Sequence, residues 1–188
     1  MIRTILMSAA LLFAAPATLA LAAPCSDSPY TKVMPPHDGL TYGMSATSAI
    51  SAAKRAYGKK ARIYRNDSGT IKVEFRAAHQ AVFDMIEIGT VNDVVTSMSW
   101  SYSNGLQRKM GGSSDAFLAI LKRIKDTVGL ADDNKQLEKG FMLSWNAKGG
   151  VALKVVGVDP MMVFTVFTCE PLEAAEKEKQ RKRVNMGF

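Results

Sequence analysis

The chain has 188 residues, 47% of them hydrophobic and 22% charged, a globular composition that excludes a disordered chain. A formal net charge of +7 favours anionic partners (phosphorylated glycolipid, acidic protein or nucleic acid) without choosing among them. Beyond the N-terminus no apolar run reaches the roughly 20 residues that a membrane-spanning helix needs.

Residues 1–22 carry one cation, Arg3, then an apolar run from Ile5 to Ala15, then small residues ending in Ala20-Leu21-Ala22. These are the charged, apolar and cleavage regions of a secretory signal. Pro16 and Thr18 interrupt the run and Pro24 follows it, so cleavage is expected rather than retention as an anchor. Cleavage after Ala22 leaves 166 residues with a net charge of +6, which fits one domain or two small fused modules and is enough to bury a real core. Pro24 stands where a lipoprotein signal has a small residue before its cysteine, which argues against a lipidated Cys25. The expected location is periplasmic or secreted. In that oxidising compartment Cys25 and Cys169 are expected to form a disulfide, with two separate thiols as the alternative.

Residues 23–43 are rich in Pro, Gly and Ser and read as an irregular lead-in. Ser45 is a candidate N-cap for a helix over 46–57, with Ala46, Ala49, Ile50, Ala53 and Tyr57 at helical spacing and Gly58 as the stop. Ala61–Arg65 and Thr70–Arg76 flank the turn cluster Asn66-Asp67-Ser68-Gly69 and read as a hairpin. Val82–Ile88 is a further strand, and Thr90–Asp93 turns the chain into Val94–Ser103. There Thr96, Met98, Trp100 and Tyr102 alternate with Ser97, Ser99, Ser101 and Ser103, a pattern that predicts one core face and one wet face.

A loop over 104–113 precedes a second helix, capped by Ser113 or Ser114, striped by Phe117, Ile120, Leu121, Ile124 and Val128, and ended by Gly129. Ala131–Glu138 reads as a polar loop. Gly140–Asn146 and Val151–Val158 flank Ala147–Gly150 as a hairpin, and Met161–Thr168 is the last strand. After Pro171 the chain is highly charged: a short exposed helix with i,i+4 pairs or a solvated tail are both open.

The expected fold is therefore α+β: mainly antiparallel sheet, in one piece or two, with two helices packed on one face. One domain spans 44–169, and 170–188 form a charged C-terminal tail. The two helices superpose with an offset of 71, and an offset of 81 pairs Gly69 with Gly150, Val82 with Val163 and Phe83 with Phe164. This suggests pseudo-repeats over 44–103 and 114–169; any two amphipathic helices followed by hairpins could align equally well.

No catalytic constellation stands out. His37 and His79 are far apart, and metal-ligand spacings and phosphate-cradling glycine motifs are missing, so neither metal nor other cofactor is expected. Ser51-Ala52-Ala53-Lys54 matches S-x-x-K, but the chain is too short for the penicillin-recognising fold. Asp84 and Glu87 fall on opposite strand faces. The densest charge feature runs from 54 to 65: Lys54, Arg55, Lys59, Lys60, Arg62 and Arg65, with Tyr57 and Tyr64 interleaved and no acid. It reads either as a binding patch for an anionic partner or as a solvated surface whose cations offset a helix dipole. Ser97, Ser99, Ser101 and Ser103 form a second candidate surface.

Gly43-Met44-Ser45, the helix closed by Gly58, and Trp100-Ser101-Tyr102 resemble the modules of the small-protein-A/outer-membrane-lipoprotein family and the related β-lactamase-inhibitor proteins. The likeness covers about residues 40–105, with a weaker echo over 114–169. This chain departs from the pattern in its longer helix, in lacking the lipidated cysteine and in lacking G-[ML]-[ST] before the second helix. The resemblance implies an exported, non-catalytic envelope protein that binds another protein with its sheet surface, as an enzyme inhibitor or an assembly factor. The expected partner is thus another envelope or extracellular protein, with an anionic surface as a lesser option and no nucleic acid. The alternatives are an enzyme acting on envelope polymers with catalytic residues not recognisable in the sequence, a reading that a cleft lined by Glu74, Asp84 or His79 would favour, and a carrier of a small apolar ligand.

Overall fold

The computed structural model describes residues 25–76, 82–102, 113–158 and 162–186; the proposed signal at 1–22, His79 and Ser103 lie outside them. Eight strands form one antiparallel sheet. They are β1 (Ala61–Arg65), β2 (Ile71–Phe75), β3 (Met85–Val91), β4 (Val94–Ser101), β5 (Asp133–Leu137), β6 (Gly140–Lys148), β7 (Val151–Val158) and β8 (Met162–Cys169). The spatial order is β1-β2-β3-β4-β8-β7-β6-β5, two four-strand meanders joined where β4 pairs with β8. Three α-helices accompany the sheet among the described residues: α1 (Ala46–Tyr57), α2 (Ser113–Val128) and α3 (Glu170–Asn185).

Local signals explain most of these elements. Ser45 caps α1 by accepting from the Ser48 amide. Gly58 keeps right-handed backbone (φ −56°), so it does not end the helix by a left-handed turn as expected. Asn92 and Asp93 both adopt positive φ and form the whole β3–β4 turn. The expected four-residue turn is therefore two residues long, and β3 runs three residues later than Val82–Ile88.

The expectation of a polar loop over Ala131–Glu138 is also corrected, because β5 runs there. Its sequence, Asp-Asn-Lys-Gln-Leu, lacks apolar alternation because it is an edge strand exposed on both sides, held by its backbone ladder to β6. The extra strand removes the offset of 81. That offset lays Gly69, in the β1–β2 turn, on Gly150, in the β6–β7 turn.

The core lies on the face that carries Ile71, Val73, Ile86, Ile88, Met98, Trp100, Leu153, Val155 and Phe167, each at most 1% exposed. Cross-strand register puts these side chains on one side. α1 packs against β1, β2 and β4 through Ala49, Ala52, Ala53 and Tyr57. Phe117 of α2 sits 4.5 Å from the ring of Phe141 on β6, and Trp145 Nε1 donates to Gly129 O at 3.0 Å just past the helix end.

The lead-in is a structured part of this layer. Ser28 caps a 3₁₀ turn over Pro29–Lys32, and Tyr30, Val33, Met34, Leu40 and Tyr42 are buried. The Tyr30 hydroxyl donates to Asn146 O (2.7 Å) and that of Ser28 to Lys148 O (2.6 Å). The two-residue turn beneath it, Gly149-Gly150, has positive φ at both positions. A Cβ on Gly149 would stand 2.8 Å from Ser28 Cα, so glycine is required both by conformation and by this close approach. Cys25 and Cys169 form a disulfide that closes 144 residues of sequence separation.

The segment after Cys169 is a sixteen-residue helix, α3, that contacts β3, β4 and β8. It lacks an apolar stripe, yet it is anchored by Leu172 and by Glu176, which is 5% exposed. Asn92 Nδ2 donates to Glu176 O and Oε2, and Lys179 pairs with Glu176 at 2.6 Å. Hydrogen bonds from Lys179 and Asn92 hold the Glu176 carboxyl below its ordinary value, and burial opposes them.

Two outcomes are expected. Replacing both cysteines by serine should lower unfolding stability by about 2–5 kcal/mol in urea titration, and an unchanged midpoint would show that the bond constrains nothing. A depressed carboxylate contributes stability above its unfolded value, here 4.5, and loses it as pH falls through the folded value. Acidification below that point should therefore release α3, seen as faster amide exchange over 172–185, whereas Glu176→Gln should flatten this pH dependence.

Candidate functional site

Every strand of an antiparallel sheet presents alternate side chains to opposite faces, so register lines residues up in rows across it. On the face away from the core one row crosses all eight strands: Arg62, Glu74, Met85, Ser101, Phe164, Val156, Met142 and Lys135. The adjacent row is Tyr64, Lys72, Glu87, Ser99, Val166, Lys154, Ser144 and Asp133. Charge sits at both margins, and an apolar stripe of Phe164, Val156 and Met142 lies beside the central serines. These three apolar side chains are half-buried, as are Met85 and Val166.

The polar margin on the β1 side is internally organised. Lys72 pairs with Glu87 at 2.9 Å, and the hydrogen bond to Glu87 raises the lysine pKa. The Tyr64 hydroxyl donates to Glu74, which raises the phenol pKa in turn. The Arg62 guanidinium lies 4.8 Å from the centre of the Tyr64 ring. Arg62, Tyr64, Glu74, Lys72 and Glu87 thus form a continuous network of paired side chains rather than free charges.

The serines of β4 sit at the centre of this face. Ser97 and Ser99 are half-buried and Ser101 is 5% exposed, so this side of the strand is not the wet face that the alternation predicts. The reason is position. β4 is interior to the sheet, flanked by β3 and by the bulky Phe164 and Val166 of β8. Gly89 opposite Ser97 keeps the valley open, since a Cβ there would come 2.2 Å from Ser97 Oγ.

The six cations near α1 fall in three places. Lys54 and Arg55 are exposed in the last turn of α1, and Lys59 and Lys60 are exposed in the turn that follows. Arg62 belongs to the open sheet face. Arg65 points the other way from Arg62, donates to Gly69 O at 3.0 Å and pairs with Asp93, tying the β1–β2 turn to the β3–β4 turn. The alternation of β1 separates these last two cations, a constraint that charge density along the chain does not display.

On the core side the lead-in leaves a recess of about 270 Å³, reaching Met98 of β4 and floored by Met34, Leu40 and Tyr42. Tyr42 is buried, its hydroxyl has no hydrogen-bond partner among the described residues, and burial pushes its pKa well above the ordinary phenol value. A wider groove of about 590 Å³ lies between α2 and β5–β6, with Leu118 and Leu130 exposed at its rim.

Sequence reasoning found the serines and the cations but missed Phe164, Val166, Val156 and Met142. Strands β7 and β8 are apolar at almost every position, the pattern of a strand buried on both faces, so no outward subset stands out. Among the enzyme candidates, Glu74 is engaged by Tyr64 and Asp84 has interaction partners.

Neutralising Lys54, Arg55, Lys59 and Lys60 together should weaken retention on an anionic resin. The expected stability loss is within about 0.5 kcal/mol per site. Arg65→Gln should change retention less, because Asp93 already offsets that charge, and equal losses would show that the cations act as one patch. Compared with protein-family models, with curated proteins and with solved structures, the chain matches none.

Proposed function

We propose that the protein is an exported, non-catalytic module that binds another extracytoplasmic protein across the open face of its sheet. The observation that carries this reading is the pair of rows crossing all eight strands, with half-buried apolar side chains at the centre and charged side chains at both margins, paired on the β1 side. An apolar centre ringed by polar side chains is the anatomy of a protein-binding surface. The paired margin also suits selectivity, because a partner must satisfy a fixed charge pattern.

The disulfide is compatible with an extracytoplasmic location, and no helix among the described residues is long and apolar enough to cross a membrane. The N-terminal pattern over 1–22 supports export to the periplasm or the exterior. Inhibition of an extracytoplasmic enzyme and support of envelope assembly are the two uses that the resemblance to the small-protein-A and β-lactamase-inhibitor modules favours.

We also infer tandem copies of a helix-plus-four-strand unit, both helices lying on the core face. Tyr57 and Val128 end the two helices, Ala61 and Asp133 open the next strands, and Val94 and Met162 open the last ones. Equivalent points therefore stay about 70 residues apart along both halves.

A photo-crosslinking residue at Ser99 or Lys154 should capture one discrete extracytoplasmic protein, and the same residue at Lys125 on α2 should not. Val166→Arg, which places a charge in the apolar centre, should abolish capture by the Ser99 probe while leaving the far-ultraviolet dichroism unchanged. Equal capture from both faces, or none from the open face, would remove the proposal.

A further inference from the structure

β5 is the outer strand at one end of the sheet, and Asp133, Asn134, Lys135 and Gln136 are all exposed. We infer that this edge pairs antiparallel with the same edge of a second copy of the chain, continuing the sheet across a two-fold axis at Asn134. The inference does not depend on the partner proposed for the open face. Among the described residues no strand pairs with the outer side of β5. Such an edge presents unpaired N–H and C=O groups to any strand that fits beside it. Asp133 and Lys135 take part in no ion pair among the described residues.

Register and charge select the partner. Directly opposite residues of an antiparallel pair lie on the same face, so in a pairing of two identical strands they must be an even number of positions apart. A two-fold axis at Asp133 or at Lys135 sets like charges against each other, which destabilises the pair. An axis at Asn134 sets Asp133 of each copy against Lys135 of the other, and two ion pairs form. An axis at Gln136 sets Lys135 against Leu137 and loses both. At the opposite end of the sheet β1 carries Arg62 and Arg65 and no acid, so self-pairing of that strand gains no ion pair.

The helices make the same distinction between the two ends. α1 buries Ala46, Ala49, Ala52, Ala53 and Tyr57. Of the described side chains of α2 only Ile124 is buried, and the groove of about 590 Å³ between α2 and β5–β6 stays open. Leu118 and Leu130 at its rim are 60% and 73% exposed, so an incoming surface reaches both. Asn134 lines this groove too. Continuing the sheet at Asn134 therefore brings the grooves of the two copies side by side on the core face, and each apolar rim is covered by the other copy.

The test is sedimentation equilibrium of the oxidised mature chain over a dilution series, in which a dimer exchanging with monomer is expected. Lys135→Asp alone and Asp133→Lys alone each set like charges opposite each other and should weaken the dimer about tenfold. The two substitutions together restore the opposite charges and should return the dimer to its native strength, which misfolding of either variant would not do. Leu118→Glu should also weaken association. Asn134→Cys places two thiols at the axis, where opposite Cα atoms lie about 4.5–5.5 Å apart, so mild oxidation should give a covalent dimer. Lys139→Cys, away from the axis, should not. A product of twice the chain mass also separates this contact from capture of a different protein on the open face. A monomeric mass at every concentration, an undiminished dimer in either single charge variant or in Leu118→Glu, or no rescue in the double variant would each overturn the inference. Equal crosslinking from Lys139→Cys, or capture of another polypeptide at Asn134→Cys in place of a second copy, would overturn it too.

Discussion

The pairing of β4 with β8 is the constraint on which the rest of the molecule depends. Each four-strand meander is local and could form from hairpins alone, but neither makes a large sheet without the other. Five consecutive residue pairs, from Ser97 with Thr168 to Ser101 with Phe164, fuse them. The contact is distant in sequence, so it carries a larger loop-closure cost than any hairpin in the fold. Trp100 and Phe167 lie edge to face across the junction, with ring centres 5.6 Å apart and both side chains fully buried. Aromatic pairs of this kind add about 0.5–1.5 kcal/mol beyond the area they bury.

Other features reinforce that junction. The disulfide attaches Cys25 to the last residue of β8, and the lead-in that follows reaches toward both flanks. Tyr30 and Ser28 bond to the β6–β7 side, whereas the Tyr57 hydroxyl of α1 donates to Pro36 O at 3.4 Å. α3 leaves β8 directly and is held at the β3–β4 turn through Asn92 and Glu176. A segment before the sheet and a helix after it thus connect the two meanders independently of the β4–β8 ladder. Long-range pairing that is costly to close is here supported by a covalent bond and by two short chain segments.

Much of this was legible in the sequence because the signals are local. Ser45, Asn92-Asp93 and Gly149-Gly150 act through their own backbone, and the alternation of Thr96, Met98 and Trp100 marks the buried side of β4. What could not be read depends on placement in the sheet. The residues of β5 look like a loop because an edge strand needs no buried face. The serines look solvated because nothing in their own segment states that β4 is flanked by Phe164 and Val166. Pro, Gly and Ser made the lead-in look irregular, and it is irregular in backbone; its Tyr30, Leu40 and Tyr42 are nevertheless core residues. The pairing of Cys25 with Cys169 followed from compartment and count, with no geometry available to support it. For the site, the serines and cations stand out along the chain, whereas the apolar centre does not, because its residues sit in strands apolar on both faces.

The same junction decides whether the open face and the recess can influence one another. Met98 reaches the recess, and its chain neighbours Ser97 and Ser99 face outward, so the two surfaces are separated by one strand's thickness. Proximity alone does not couple sites; coupling needs an element with two arrangements that each ligand distinguishes. β4 is hydrogen-bonded on both sides at these positions, to β3 and to β8, and a slip of one residue would invert every side chain in its row. The strand therefore has no second register available at modest cost. The lead-in, by contrast, is held by a few hydrogen bonds and the disulfide, and it covers the recess without contributing a residue to the rows of the open face. The covering segment is therefore free of the register constraint that fixes β4 and the rows of the open face. The open face and the recess are thus close in space and separated by a strand whose register is set from both sides.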